Sequence, residues 1–166
     1  MFDISSIQSN DLESFYTGIN DFVDGLFYEE RDALANMSNL ASLLYHTLSD
    51  VNWVGYYLFK SGELVLGPFQ GKPACIRISI GKGVCGTAAM KRETLRIPDV
   101  HQFEGHIACD GDTNAELVIP MIKKGVLLGV LDLDSTLKDR FSEEDQKALE
   151  YIVDKLLEAS EFDKTI

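Results

Sequence analysis

Residues 52–59 read NWVGYYLF, and the fold turns on how this stretch is placed. Its aromatic and β-branched content predicts a strand. Alternation then puts Trp53, Gly55, Tyr57 and Phe59 on one face. The pattern upstream is different. From Asp11 to Leu26, apolar residues fall at Leu12, Phe15, Ile19, Phe22, Val23 and Leu26, which is helical spacing. Glu29 to Leu48 repeats it with Leu34, Met37, Leu40, Leu44 and Leu48. Two amphipathic helices therefore precede the strand.

Downstream, Ser61-Gly62 marks a hairpin turn into a second strand, Glu63 to Phe69. Cys75 to Ile80 alternates as a third. Gly83 to Lys91 predicts a short helix and Thr94 to Ile97 a brief strand. Pro98 to Asn114 is a long polar loop, a length often tied to function. Glu116 to Ile122 and Val126 to Asp134 form a hairpin through Lys123-Lys124-Gly125. Ser142 caps a last helix whose first turn holds Glu143, Glu144 and Asp145, where the helix dipole favours acids. The order is ααβββαβββα. Short turns between consecutive strands argue for an antiparallel sheet with helices mainly on one face, an α+β class. No linker breaks residues 1–166, so one domain is expected.

The 166 residues are 45% hydrophobic, enough for a core, and carry a net charge of −12. That charge repels nucleic acid and anionic membranes, so neither is an expected partner. Met1 to Glu13 lacks the pattern of a signal peptide, and Val126 to Leu131 is too short to span a bilayer. The expected location is the cytoplasm, where thiols are mostly reduced.

The chain has three cysteines, Cys75, Cys85 and Cys109, all within 35 positions. A lone intracellular cysteine is most often a small buried hydrophobe, and Cys75 fits that role. Cys85 sits between glycines at a helix start, where exposed N–H groups favour a thiolate and lower its pKa from about 8.5. Cys109 lies in the polar loop, in GHIACDGD. One activated and one accessible cysteine are the parts of a dithiol redox site. A Cys₃His zinc site with His101 or His106 is the rival, but gaps of ten and twenty-four residues fit no common zinc spacing. GKGVCG lacks the Gly-Lys-Ser/Thr ending of a phosphate loop.

In GVLLGVLDLDS, alternation sets Val126, Leu128, Val130, Asp132 and Asp134 on one face. Glu116 opens the preceding strand and comes near them through pairing. These are either solvated strand ends or a pocket with three acids. Such a cluster repels itself unless it holds a cation or shares protons. Trp53 and Tyr57 would form the other wall, with Gly55 leaving room for a ligand.

NWVGYYLF, the spacing of the cysteines, IPDVHQFEGHIACD, and Glu116 ahead of GVLDLDS together resemble the free methionine-(R)-sulfoxide reductases, built on a GAF domain. The likeness is close from Asn52 to Ser135. It implies a single GAF domain over residues 1–166 that reduces free methionine (R)-sulfoxide with no bound cofactor or metal. By that resemblance, Asp132 and Asp134 hold the substrate ammonium. Trp53 and Tyr57 line the methyl and thioether end. Glu116 donates to the sulfoxide oxygen, assisted by Asp134. Cys109 attacks sulfur and becomes a sulfenic acid, and Cys85 or Cys75 closes a disulfide. Thioredoxin restores the dithiol and draws on NADPH through thioredoxin reductase. The resemblance also suggests a homodimer through the terminal helices. The competing reading is a non-catalytic GAF domain that senses a small molecule or redox state.

Overall fold

Among the described residues, three of the four α-helices begin on an oxygen-bearing side chain that accepts from an unpaired N–H of the first turn. Asp11 accepts from Ser14 and starts α1 (Leu12–Leu26). Asp32 accepts from Ala35 and starts α2 (Ala33–Thr47). The exception is α3 (Gly83–Lys91), whose preceding residue, Lys82, makes no such bond. Ser142 and Asp145 exchange bonds in a capping box that opens α4 (Glu143–Ala159). The computed structural model describes residues 3–7, 9, 11–105, 107 and 110–162.

Among these residues six strands form one sheet: β1 (Val51–Lys60), β2 (Glu63–Gly71), β3 (Arg77–Ser79), β4 (Leu95–Ile97), β5 (Ala115–Lys123) and β6 (Val126–Ser135). Their spatial order is β3-β2-β1-β6-β5-β4, and every neighbouring pair is antiparallel. The hairpin turns at Ser61-Gly62 and Lys124-Gly125 have positive φ at both residues, the handedness that matches strand twist.

The sheet buries both faces. Val54, Tyr56, Leu58, Leu117, Ile119, Leu131 and Leu133 pack with α1, α2 and α4 into the larger core. Trp53, Tyr57, Val118 and Val130 face the other way, against Val84, Cys85, Ala88 and Ala89 of α3. Helices thus lie mainly on one face, with α3 alone on the other. Its close seat depends on Gly86, where a Cβ would stand 2.3 Å from the Ser79 carbonyl oxygen.

The element order matches the sequence expectation, and three details differ. The second helix starts at Ala33 rather than Glu29, because the Glu30 carboxylate folds back onto the N–H groups of Arg31 and Asp32. The third strand is only Arg77–Ser79, so Cys75 and Ile76 lead into it as irregular chain. The even alternation expected along Val126 to Asp134 is broken by a bulge opposite Met121/Ile122. Leu128 consequently packs toward the larger core, while Val130 stays in the smaller one. Among the described residues, no helix is long and apolar enough to cross a membrane.

Asp145 ties the helical layer together. Its carboxylate accepts from the Tyr16 hydroxyl of α1 at 2.5 Å, from the Ser142 N–H at 2.8 Å, and from the Arg140 guanidinium at 3.3 Å. Replacing it would leave a half-buried guanidinium without its carboxylate and a buried hydroxyl without its acceptor. Asp145→Ala is expected to lower the unfolding free energy by about 3 kcal/mol, and Tyr16→Phe by about 1 kcal/mol, in urea denaturation.

Candidate active site

Register brings the acids together. Glu116 on β5 sits directly across from Asp134 on β6. Asp134 also faces Trp53 on β1, and Asp132 faces Gly55. All point to the sheet face that carries α3, and they meet at one cavity of about 30 Å³. Its walls are Trp53, Tyr57, Cys85, Glu116, Asp132 and Asp134, with Lys82, Gly83 and Val84 from the start of α3, and Ile107, Asp110 and Thr113 from the long loop.

The aromatic wall is stacked. The Trp53 ring lies 5.4 Å from Phe69 and 5.9 Å from Tyr57, both nearly parallel to it. Gly55 makes this possible in a way the sequence reading did not anticipate. A Cβ there would come within 2.4 Å of the Trp53 ring and of Phe69. The space left by the missing side chain is filled by the indole of Trp53 rather than kept for a ligand.

The polar tips of these aromatics hold the segment around Cys75. The Trp53 indole N–H donates to the Lys72 carbonyl at 3.1 Å, and the Tyr57 hydroxyl donates to the Cys75 carbonyl at 3.0 Å. The Lys72 ammonium in turn pairs with Asp110 at 3.3 Å and Asp112 at 2.6 Å. The Asn52 amide reaches Asp110 and Thr113. The approach to β3 and the 110–113 segment are therefore fastened to each other across the cavity mouth.

The acids are far from ordinary. Burial, and then the charges of Asp132 and Asp134, push Glu116 well above the usual carboxylate range. Burial raises Asp132 to about 7. Burial, with Asp132 and Asp110, raises Asp134 well above the usual range. Three carboxylates this close and dry cannot all be ionised, so the cluster keeps protons at neutral pH.

Cys85 also departs from the sequence expectation. It is a buried free thiol whose sulfur is 3.7 Å from Glu116 Oε1. Burial, and then the Asp132 and Glu116 charges, raise its pKa well above the ordinary value. Desolvation and like charge overcome the favourable field of the helix start. Cys75 is partly buried and disulfide-bonded. Cys109 and His106 lie outside the described residues. Cys109's near neighbours in the chain, Ile107 and Asp110, line the cavity. The His101 ring bonds the Asn114 side chain at 2.9 Å, the ordinary loop role, and gives no support to a Cys₃His zinc site.

Lys72, Asn52 and Thr113 were not legible as site residues. Each acts through partners distant in sequence, and no spacing signals that. Asp110 was within reach, since it sits in the polar run beside Cys109.

Residues 23–157 match the GAF domain family. The chain is 46% identical over 153 residues to the free methionine-R-sulfoxide reductase of Escherichia coli, covering 90% of this chain and 93% of that one. It superposes on the structure of fRMsr of Staphylococcus aureus in complex with substrate with a TM-score of 0.83, at 46% identity over 87% of this chain and 94% of the other. Against the free methionine-R-sulfoxide reductase of Neisseria meningitidis in complex with its substrate the TM-score is 0.88, at 36% identity and 92% coverage of both chains.

Two outcomes are expected from this geometry. Asp132 holds its proton in the folded chain up to about pH 7, and the unfolded chain releases it near 3.8. Its contribution to stability is thus full below the lower value and is lost as pH rises through the upper one. Unfolding free energy from urea titrations is expected to fall between about pH 3.8 and about pH 7, the interval between the two values, and Asp132→Asn is expected to flatten that fall. Gly55→Ala is expected to cost about 1–3 kcal/mol by overpacking and to shift the emission of Trp53, the chain's one tryptophan. An unchanged spectrum would count against the stacked wall.

Proposed function

This chain belongs to the GAF-domain family of free methionine-R-sulfoxide reductases, and we propose that it reduces free methionine (R)-sulfoxide to methionine. The observation that carries the reading is the convergence of Trp53, Tyr57, Glu116, Asp132 and Asp134 on one cavity, with the acids holding protons. The relatives named above act on this substrate by name.

The chemistry suits a zwitterion with a polar S–O bond. The ammonium is held by Asp132 and Asp134, and its charge permits them to ionise. The uncapped start of α3 offers the opposite pole for the carboxylate. The methyl and thioether end packs on Trp53 and Tyr57. Glu116, protonated by its surroundings, donates to the sulfoxide oxygen. The Cys109 thiolate attacks the substrate sulfur, the S–O bond breaks, and the oxygen passes to Cys109 as a sulfenic acid while methionine leaves. A second thiol then attacks the sulfenic sulfur, forms a disulfide and releases water. Two thiols are oxidised and one sulfoxide is reduced.

For the resolving thiol we favour Cys75 over Cys85. Cys75 is disulfide-bonded, whereas Cys85 is buried among acids that oppose its ionisation. Thioredoxin, fed by NADPH through its own reductase, returns the dithiol in the cytoplasm. Residues 1–166 act as one GAF domain, paired as a homodimer through the terminal helices.

The test is thioredoxin-coupled NADPH oxidation with separated sulfoxide epimers. Activity is expected with the R epimer and not the S epimer. Cys109→Ser should abolish turnover. Glu116→Gln should lower kcat by about 10²–10⁴, the usual worth of a positioned acid. Cys75→Ser should stop turnover after one stoichiometric methionine, and Cys85→Ser should not. Tight binding of a metabolite without turnover would favour the sensor instead.

A further inference from the structure

We propose that Cys85, Glu116 and Asp132 form a site for one soft divalent metal ion, of the zinc and cadmium class, whose binding blocks the pocket. The three side chains come from α3, β5 and β6, and each offers one donor atom within 4.8 Å of the others. A tetrahedral zinc with bonds of about 2.3 Å to sulfur and about 2.0–2.2 Å to oxygen holds those ligands about 3.5 Å apart. Cys85 Sγ and Glu116 Oε1 are 3.7 Å apart, so little movement is needed.

A second observation points the same way. Asp132 is 6% exposed, and its Oδ1 is buried with no hydrogen-bond donor among the described residues. That oxygen belongs to a side chain lining the cavity and has lone pairs to offer. The cavity of about 30 Å³ has room for an ion and its bound water, since a single water occupies about 10–15 Å³ of such space. Mixed sulfur and carboxylate donors select zinc-like ions over magnesium or calcium.

The charge balance is favourable. The ion replaces the Cys85 thiol proton, and any proton on the ligating carboxyls, with two positive charges; the protons leave to solvent and no group is oxidised or reduced. Its fourth position is left to water. An ion here takes Asp132 from the substrate ammonium and Glu116 from the sulfoxide oxygen. The binding claim stands without the reductase reading; the blocking claim rests on it.

The test uses the full chain, reduced, with Cys75→Ser and Cys109→Ser so that Cys85 is the only remaining sulfur of the three cysteines. Cadmium chloride is added while ultraviolet absorption and proton release are followed. A thiolate-to-cadmium band saturating at one equivalent is expected. Cys85→Ser in the same background should remove it, and Asp132→Asn should weaken binding at least about tenfold, with circular dichroism reporting that each variant is folded. Absence of the band, or a band that survives Cys85→Ser, overturns the site. In the wild type, zinc should inhibit turnover competitively with methionine sulfoxide, reversed by chelator. Cadmium binding without competition by methionine sulfoxide overturns the blocking claim; turnover of sulfoxide with no band leaves the reductase reading standing and the metal site refuted.

Discussion

Carboxyl groups held out of water at one end of a sheet set the terms for everything around them. Glu116 and Asp134 face each other across β5 and β6, and Asp132 is one pleat away on the same face. Leaving three such groups dry is unfavourable, and burial raises the pKa of each, so that protons are retained. Among the described residues, the ion pairs of Lys72 lie with Asp110 and Asp112 at the cavity mouth. A protonated carboxyl beside an ionisable one is also how a single pocket both binds a cation and donates a proton.

The same cluster explains why two cysteines of one short stretch behave differently. Cys85 lies under the acids, and its sulfur shares their poverty in water. Cys75 sits outside them on irregular chain, tethered through its carbonyl to Tyr57. An aromatic ring that lines the pocket thereby also positions the chain segment carrying a disulfide-bonded sulfur. Pocket shape and thiol placement are coupled by one hydroxyl group and one indole N–H.

The sheet serves as a rigid support for this arrangement. One face is committed to the helical layer and the larger core, which fixes the twist and register of β1, β5 and β6. Only the other face is available for chemistry, and α3 covers the part of it that is apolar. Where the apolar stripe ends and acids begin, the cavity opens. GAF domains with different ligands can share such a frame because the frame specifies a place, and the side chains at that place specify the chemistry.

By itself, the sequence determined the element order, the antiparallel sheet, the start of the last helix at Ser142, and the face shared by Trp53 and Tyr57. These follow from local periodicity and capping, which act over a few residues. The motif resemblance supplied the family and the candidate site residues. Tertiary structure alone decided three other matters. It showed that Gly55 accommodates the indole instead of a ligand, because that depends on a ring folding back over its own strand. It turned Cys85 from an expected thiolate into a protonated, buried thiol, because desolvation and cross-strand charges cannot be read from a helix start. It shifted Leu128 to the other face, because one bulge breaks a two-residue alternation. Each depends on distances between residues far apart in the chain, and those exist only once the sheet has closed.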